Sequence, residues 1–479
     1  MKLLFTQDAL VNAGAERSHL ETLSRFSPET EVCFAYFYPK HDLKADYERA
    51  GIRLFFLDIP ESYHFHLAIY RLVNLIRTEK PDLLVSCLWR ADMITRIASL
   101  ITGVPLVGTL VNDSYSPIAW TDKKGLKYKL VYWLDRLTAG IPIHWIANAN
   151  ALAESHIATL GLSRERISVV YRGRRVPSVI GTVIASAAKQ SVDDFLDKSG
   201  LGKRVPIAIG RGLENESPDS YREENESPQT EVDKETDCRV VPPSTTADRR
   251  NDDYRFLSYG RLLERKGFQD AIQSFSNVIQ KYPNCTLTIY GEGPYRASLE
   301  SLINRLGLEE KVKLPGTFNS GLNTKQIAMS SLGTPRNDDT PPIAIGALNP
   351  QSPNLQSPNL SSLNLLLSSH CFLFPSWYEG FSGALVEAMM AGVPIIASDI
   401  PMNLEAITDQ VNGLTYPLGN SAELQKKMQW VIECPDEAKK LGVAARNTAI
   451  QRFDIEKIAR EYEALLQVIG RRDQAEINL

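Results

Sequence analysis

Glu379 and Glu387 stand eight positions apart in FPSWYEGFSGALVEAMMAGVPIIAS, the stretch Phe374 to Ser398. The pattern is that of a buried strand, a Gly-rich loop, and a helix that starts near Ser382 and stops at Gly392, a residue suited to a left-handed cap. Backbone N–H groups around Gly380, Phe381, Ser382 and Gly383 at a helix N-terminus form a ready anion site. A sugar diphosphate suits such a site. Glu379 could then grip hydroxyls of a sugar ring and Glu387 those of a ribose, because ionised acceptors make the stronger hydrogen bonds. The spacing by itself fits a capped helix with two solvated acids equally well.

A second cluster lies in SYGRLLERKGF, where a strand over Phe256–Tyr259 delivers Arg261 and Lys266 into the loop before a helix. Two cations there can stabilise a leaving diphosphate, and stabilisation of charge that develops in the transition state is usually the largest catalytic contribution. Taken alone, this loop is more simply a pair of solvated surface basics. A third loop, Gly291-Glu292-Gly293-Pro294, follows a strand over Leu287–Tyr290 and allows close approach of backbone to a ligand. Many βα turns share that composition.

The elements that must position these loops follow from the hydrophobic rhythm. From Met1 to about Val176, short apolar runs (KLLFT, EVCFAYF, IRLFFL, DLLVSCL, PLVGTLV, HWIANA, ISVVYR) alternate with amphipathic stretches such as GAERSHLETLSRF and HLAIYRLVNLIRTEK. A second series runs from Tyr254, through a helix from Gly267 to about Tyr282, to VPIIAS. Alternation of this kind predicts α/β architecture with parallel sheets. Two doubly wound domains in tandem are expected, and ligands in such sheets bind at the carboxyl ends of the strands. That is where the three loops fall.

Composition limits the rest. The 479 residues are 43% hydrophobic and 23% charged, ordinary for folded protein. A net charge of −4 supplies no basic field for nucleic acid. The six cysteines are scattered without a C-x-x-C pair, so neither a disulfide framework nor a zinc site is expected. The opening MKLLFTQ has too short an apolar run for a signal peptide and is expected to form the first buried strand. No run is long and apolar enough for a membrane span, and a cytoplasmic location is expected.

Two segments break the rhythm. Between Gln190 and Asp253 there are 16 acidic and 9 basic residues with few apolar ones, and ENESP occurs twice. Such a stretch is expected to be disordered. The second, roughly Ala328–Asn364, contains QSPNLQSPNL. The two share words, PIAIG at Pro206–Gly210 and Pro342–Gly346 and RNDD at Arg250–Asp253 and Arg336–Asp339. Both read as insertions into an older two-domain chain, with a pair of regulatory loops as the alternative. The expected layout is an N-terminal domain over 1–176, a linker with insertion over 177–253, a second domain over 254–452, and a final helical segment over 453–479.

Together these residues resemble the retaining family-4 glycosyltransferases of GT-B fold, whose paired-glutamate signature E-x7-E matches Glu379 and Glu387. NAGAERSHL (Asn12–Leu20) looks like the family's Gly-rich first loop, and RFDIEKIAREYEALLQVIG like its last helix, which crosses back to the N-terminal domain. The resemblance covers about Met1–Arg175 and Tyr254–Gly470. It implies two Rossmann-like domains facing across a cleft, with a nucleotide-sugar donor in the C-terminal one and a glycan or lipid-linked acceptor in the other. Transfer of a hexosyl or N-acetylhexosaminyl group with retained anomeric configuration would follow. By the same resemblance Arg261 and Lys266 hold the diphosphate, Glu379 the sugar and Glu387 the ribose, while Gly14 approaches the phosphates; no metal and no cofactor are implied. Members often carry a His in the loop after the fourth strand, in a T-x-H pattern, where this chain reads Thr109-Leu110-Val111-Asn112, and Ala13-Gly14 replaces Gly-Gly. A paralogue that binds nucleotide sugar without transferring it is the competing reading. A dinucleotide oxidoreductase is disfavoured, since no G-x-G-x-x-G follows the first strand.

Within Trp120–Trp145, lysines Lys123, Lys124, Lys127 and Lys129 sit among aromatics. Leu126, Leu130, Trp133, Leu134 and Leu137 form a helical stripe expected to pack on the sheet. The alternative is peripheral contact with an anionic membrane at the inner face. His64 and His66 are expected as exposed cap residues, and His370 and Cys371 as structural.

Overall fold

The computed structural model describes residues 1–61, 64–121, 125–177, 253–318 and 359–477. The expectations placed on 181–252 and on 328–358 lie outside the described residues. The first sheet holds β1 (Lys2–Gln7), β2 (Glu31–Tyr36), β3 (Arg53–Phe56), β4 (Leu83–Ser86), β5 (Leu106–Leu110), β6 (His144–Ala147) and β7 (Ile167–Val169), in the order β3-β2-β1-β4-β5-β6-β7. The second holds β8 (Arg255–Tyr259), β9 (Thr286–Tyr290), β10 (Val312–Lys313), β11 (Cys371–Phe374), β12 (Ile395–Ser398) and β13 (Leu414–Tyr416), in the order β10-β9-β8-β11-β12-β13. All these pairings are parallel.

Both sheets wind outward from a central strand, return, and wind the other way. The switch falls between β1 and β4, where Leu3 pairs with Leu83, and between β8 and β11, where Phe256 pairs with Cys371. Chain leaving two neighbouring strands at a switch point diverges to opposite faces and opens a crevice at their carboxyl ends. Inner strands of both sheets are buried along their whole length, as in LLVS, LVGTL, CFLF and IIAS. Helices on both faces require that continuous apolar character.

The two halves are sewn together twice. Arg174 donates its N–H to the Phe453 carbonyl at 2.9 Å and accepts from the Ile455 N–H at 3.1 Å, so the chain leaving the first half lies against the chain returning to it. The helix Ile455–Ile477 then buries Tyr462, Leu466 and Ile469 in one cluster with Leu3, Phe5 and Phe34 of the first sheet. Its Glu463 accepts from the Ser27 N–H at 3.0 Å. Residues 359–364, expected inside the second insertion, fall in a helix, Asn359–Leu367, leading into β11.

One expectation is overturned. The stripe on the helix Leu126–Thr138 does not pack on the sheet: Leu126 and Leu137 are each 82% exposed, Trp133 62% and Leu130 59%. Amphipathic spacing fixes that a helix has an apolar face, and it leaves open what covers that face. Here the buried anchor is polar, Asp135, which pairs with Arg96 at 2.7 Å and accepts from Tyr115.

Candidate functional site

The loops leaving β8 and β11 flank the switch point of the second sheet, and they carry Lys266 and Glu379. Gly267, in the left-handed region at φ 67°, turns the chain from Lys266 directly into the helix Phe268–Lys281. A side chain at Gly267 would collide with the Pro375 carbonyl, so the two loops touch through bare backbone. The Trp377 N–H donates to the Arg265 carbonyl at 2.8 Å, and its indole N–H to Asp270 at 2.7 Å. Within this frame the Lys266 Nζ is paired with Glu379 Oε1, which also accepts from Ser376 Oγ at 2.8 Å. Both side chains of the pair are mostly buried, at 18% and 13% exposure. Arg261, earlier in the loop after β8, is exposed and has no ion pair among the described residues.

The next helix is Gly383–Ala391, capped at its far end by Gly392 at φ 72°. Its N-terminus departs from the open anion cradle expected from the sequence. The Phe381 N–H donates to Asn148 Oδ1 at 3.2 Å, the Val111 carbonyl lies against Gly380, and the Arg174 guanidinium lies against Gly383. Glu387 has partners within the protein: Arg174 Nε donates to its Oε1 at 2.9 Å and Tyr259 OH to its Oε2 at 2.9 Å. Both of its oxygens are hydrogen-bonded to groups of the protein, and the residue joins the two halves. Glycines at 380 and 383 are thus needed for contact between halves as well as for any ligand.

The third loop has the close backbone packing its glycines imply. A Cβ at Gly291 would meet the Gly260 carbonyl and one at Gly293 the Leu262 carbonyl. Glu292 lies exposed and pairs at 3.1 Å with Arg296, the first residue of the following helix, Arg296–Leu306.

From the first half, Gly14 opens the helix Gly14–Leu23, and Ala13 before it is extended at φ −130°, a conformation that needs no glycine. Arg172 faces Gly14 and lies close enough to Glu379 and Glu16 to feel their charge. Burial, with the like charge of Arg174, draws the Arg172 guanidinium down to about 10. The neighbouring His19 hydrogen-bonds Gln7 at 2.8 Å and is pulled down to about 4 by burial and by Arg172, so it is neutral at pH 7. Arg172, His19, Val111 and Asn148 share a small cavity at the junction of the halves.

A larger cavity, about 870 Å³, opens at the switch point of the first sheet between the ends of β1, β4 and β5. Asp8 and Asp92 line it. Burial raises Asp8 to about 6 and Asp92 to about 7, the latter against the partial relief offered by Arg96 and Ser86. Val111 also lines this cavity while its carbonyl touches Gly380, next to Glu379. Among the described residues no group of three or more His, Cys, Asp or Glu is placed to hold a metal ion, and no helix is long and apolar enough to cross a membrane.

Arg172, Arg174, Asn148, Tyr171 and Glu405 were not singled out from the sequence. Glu405 reaches from the second half to accept from the Asn150 N–H at 2.9 Å and the Tyr171 hydroxyl at 2.8 Å, capping the helix Asn150–Leu160. The one available signal was the basic run Arg172-Gly173-Arg174-Arg175 directly after an apolar strand.

Comparison with known proteins places these features. Residues 14–175 match the family described as Glycosyltransferase Family 4, and residues 246–330 and 357–448 match Glycosyl transferases group 1. An uncharacterized glycosyltransferase of Methanocaldococcus jannaschii is 30% identical over 148 residues, 31% of this chain and 26% of the relative. A second from the same organism is 23% identical over 226 residues, 46% of this chain and 48% of the relative. The chain thus spans about half or less of the length of these curated relatives. The crystal structure of Anabaena HepE in complex with UDP-glucose superposes with a TM-score of 0.65 at 18% identity, over 98% of this chain and all of that one. With both halves matched in the expected order, and both sheets wound as that fold requires, the chain belongs to the group 1, family 4 glycosyltransferases of GT-B fold.

Proposed function

We propose that the protein moves a hexosyl or N-acetylhexosaminyl group from a nucleotide-diphosphate sugar to an acceptor hydroxyl, with retention of anomeric configuration. The observation that carries this reading is the mostly buried Lys266–Glu379 pair at the switch point of the second sheet. A cation held there by a carboxylate is prepaid for a diphosphate, whose charge grows as it departs. Arg261, exposed in the same loop, would reach the same phosphates. Arg172, facing both Gly14 and Glu379, adds a third cation from the other half. The liganded state of Anabaena HepE supports a nucleotide sugar as donor.

In the reaction the bond between the anomeric carbon and the diphosphate oxygen breaks, and the nucleotide diphosphate leaves with the electron pair. The acceptor oxygen bonds to the anomeric carbon on the same face, and its proton passes to the departing diphosphate. Glu379 Oε2 has no hydrogen-bond partner among the described residues and is the oxygen assigned to the donor sugar's hydroxyls. A ribose at Glu387 would replace Arg174 or Tyr259 as a hydrogen-bond partner, so donor entry is coupled to the contact between the halves. Gly291 and Glu292 would border the donor from the neighbouring loop. Cations rather than a bound metal neutralise the leaving group in this scheme.

The test is thermal stabilisation of the purified protein by uridine-, guanosine- and adenosine-diphosphate sugars, with nucleotide release followed in the same samples. Selective stabilisation by one donor with release is the expected result. Stabilisation without release, even with acceptors supplied, would favour a protein that binds the sugar nucleotide without transferring it, and no stabilisation by any donor would overturn the proposal.

A further inference from the structure

Arg174 is held between two carboxylates, one from each half. Its Nε donates to Glu387 Oε1 at 2.9 Å. Its Nη1 lies 3.5 Å from Glu21 Oε2 and 3.4 Å from Ser18 Oγ, both on the helix Gly14–Leu23 of the first half. The main chain at this point is pinned, because the Arg174 N–H and carbonyl are bonded to Phe453 and Ile455. Exchange between the two carboxylates is therefore a movement of the guanidinium alone.

The position at Glu387 is a poor one for a cation. The guanidinium packs against Gly383, the first residue of the helix Gly383–Ala391, an end that no side chain caps. Open N–H groups and the helix dipole favour an anion there. What keeps Arg174 in place is the carboxylate of Glu387 one turn further on, which also accepts from Tyr259 OH at 2.9 Å. The first half engages a second group of the same loop, since Asn148 Oδ1 accepts from the Phe381 N–H at 3.2 Å. An incoming donor meets a loop that is already occupied by the protein itself. The contact of Arg174 with Glu21 and Ser18, in contrast, lies wholly within the first half.

We propose that Arg174 is a two-position switch that keeps the empty donor site closed. Without donor its guanidinium bridges Glu387 and Glu21; when ribose hydroxyls take Glu387, it stays with Glu21 and Ser18 and releases the second half. The inference rests on the reading that a donor ribose comes to Glu387. A ligand shifts such an equilibrium by its preference for one of the two arrangements. The apparent affinity for the donor is scaled down to the fraction of molecules in which Glu387 is open. Linkage is reciprocal, so bound donor weakens the contact between Arg174 and Glu387 by the same factor.

The test is calorimetric titration of the full chain with UDP, GDP and ADP and with the 2′,3′-dideoxy form of each. The dideoxy forms carry the same base and charge and lack the hydroxyls that compete for Glu387. The ratio of the two affinities therefore reads the switch, while changes in attraction for phosphate cancel. For the base that binds, Arg174→Met should raise the preference for the ribose form about tenfold, the weight of a hydrogen bond to a charged group that no longer has to be displaced. Glu21→Gln should lower it about threefold, the weight of one partly exposed ion pair, because Arg174 is then left with Glu387 alone. Tyr259→Phe opens Glu387 Oε2 without stranding a buried charge; it should raise the preference too, and it carries the test where Arg174→Met does not fold. A merely structural pair would move Arg174→Met and Glu21→Gln in the same direction, which overturns the proposal. A preference that falls in Arg174→Met also overturns it and makes Arg174 a ligand of the donor. Binding with one unchanged ratio in every variant sinks this inference and leaves the transferase reading standing, whereas no binding of any nucleotide by wild type or variants sinks both.

Discussion

Arg174 Nε lies 2.9 Å from Glu387 Oε1, an ion pair between the chain leaving the first half and a helix of the second. The two side chains are 8% and 20% exposed, and Glu21 adds a further contact to Arg174 at 3.5 Å. Removing one member of a buried pair leaves an uncompensated charge and costs about 3–5 kcal/mol. Arg174→Met is therefore expected to destabilise the protein by about that amount, while Arg174→Met combined with Glu387→Gln should be less damaging than the two single changes added together. Urea unfolding of the four proteins measures this coupling. Strict additivity would mean that the pair does not join the halves.

Lys266 and Glu379 make a different demand, because their pair matters to chemistry more than to folding. Lys266→Ala and Glu379→Ala should each lower turnover by about 10²–10³, the range for removing one stabilising group from a developing charge, with circular dichroism and melting little changed. Arg172→Ala should lower turnover as well, since its guanidinium faces the same loop from the first half. Nucleotide release at saturating donor is the measurement. Wild-type rates in Lys266→Ala would remove the diphosphate from this loop.

The architecture, and the meeting of the Lys266 and Glu379 loops at the carboxyl ends of the strands, were legible in the sequence for a physical reason. Strands buried on both faces must read as short apolar runs, and the loops at their carboxyl ends must carry the charged residues that face a crevice. What escaped were contacts between segments far apart in the chain. Asn148 meets Phe381 and Glu405 meets Tyr171 only after both halves have folded and docked, and no local pattern encodes that meeting. The spacing that singled out Glu387 gives no sign of its protein partners, Arg174 and Tyr259, which lie 213 and 128 positions away. The stripe from Leu126 to Leu137 shows the complementary failure: periodicity reported an apolar face correctly, and the inference of a covering sheet was the error.

Gly267 and Gly307 separate conformational strain from steric collision. Both end a short helical stretch in the left-handed region, at φ 67° and 65°. A Cβ at Gly307 meets nothing within 4 Å, whereas one at Gly267 runs into the Pro375 carbonyl. Gly307→Ala should cost about 1–2 kcal/mol, the penalty for a left-handed L-residue. Gly267→Ala should cost distinctly more and should also reduce turnover, because relief requires the Lys266 and Glu379 loops to separate. Equal melting shifts for the two variants would show that the loops are not held together by this contact.

His19 gives a pH dependence whose sign can be worked out in advance. Its imidazole titrates near 6.5 in an unfolded chain and is drawn down to about 4 here by burial and by the Arg172 charge. Above pH 6.5 it is neutral in both states and has no effect on stability. Between about 6.5 and 4 the unfolded chain binds the proton and the folded chain does not, so stability falls as the pH falls, by about 3 kcal/mol over the whole window. His19→Gln cannot take up that proton. The stability difference between wild type and this variant, measured by urea unfolding from pH 7.5 down to 4, should therefore shift toward the variant by about 3 kcal/mol. Carboxylates elsewhere titrate alike in both proteins and cancel in the difference. A difference that stays constant across the range would show that the His19 ring takes up a proton in the folded state as readily as in water, and with it would go the buried, arginine-flanked junction on which the Arg172 assignment depends.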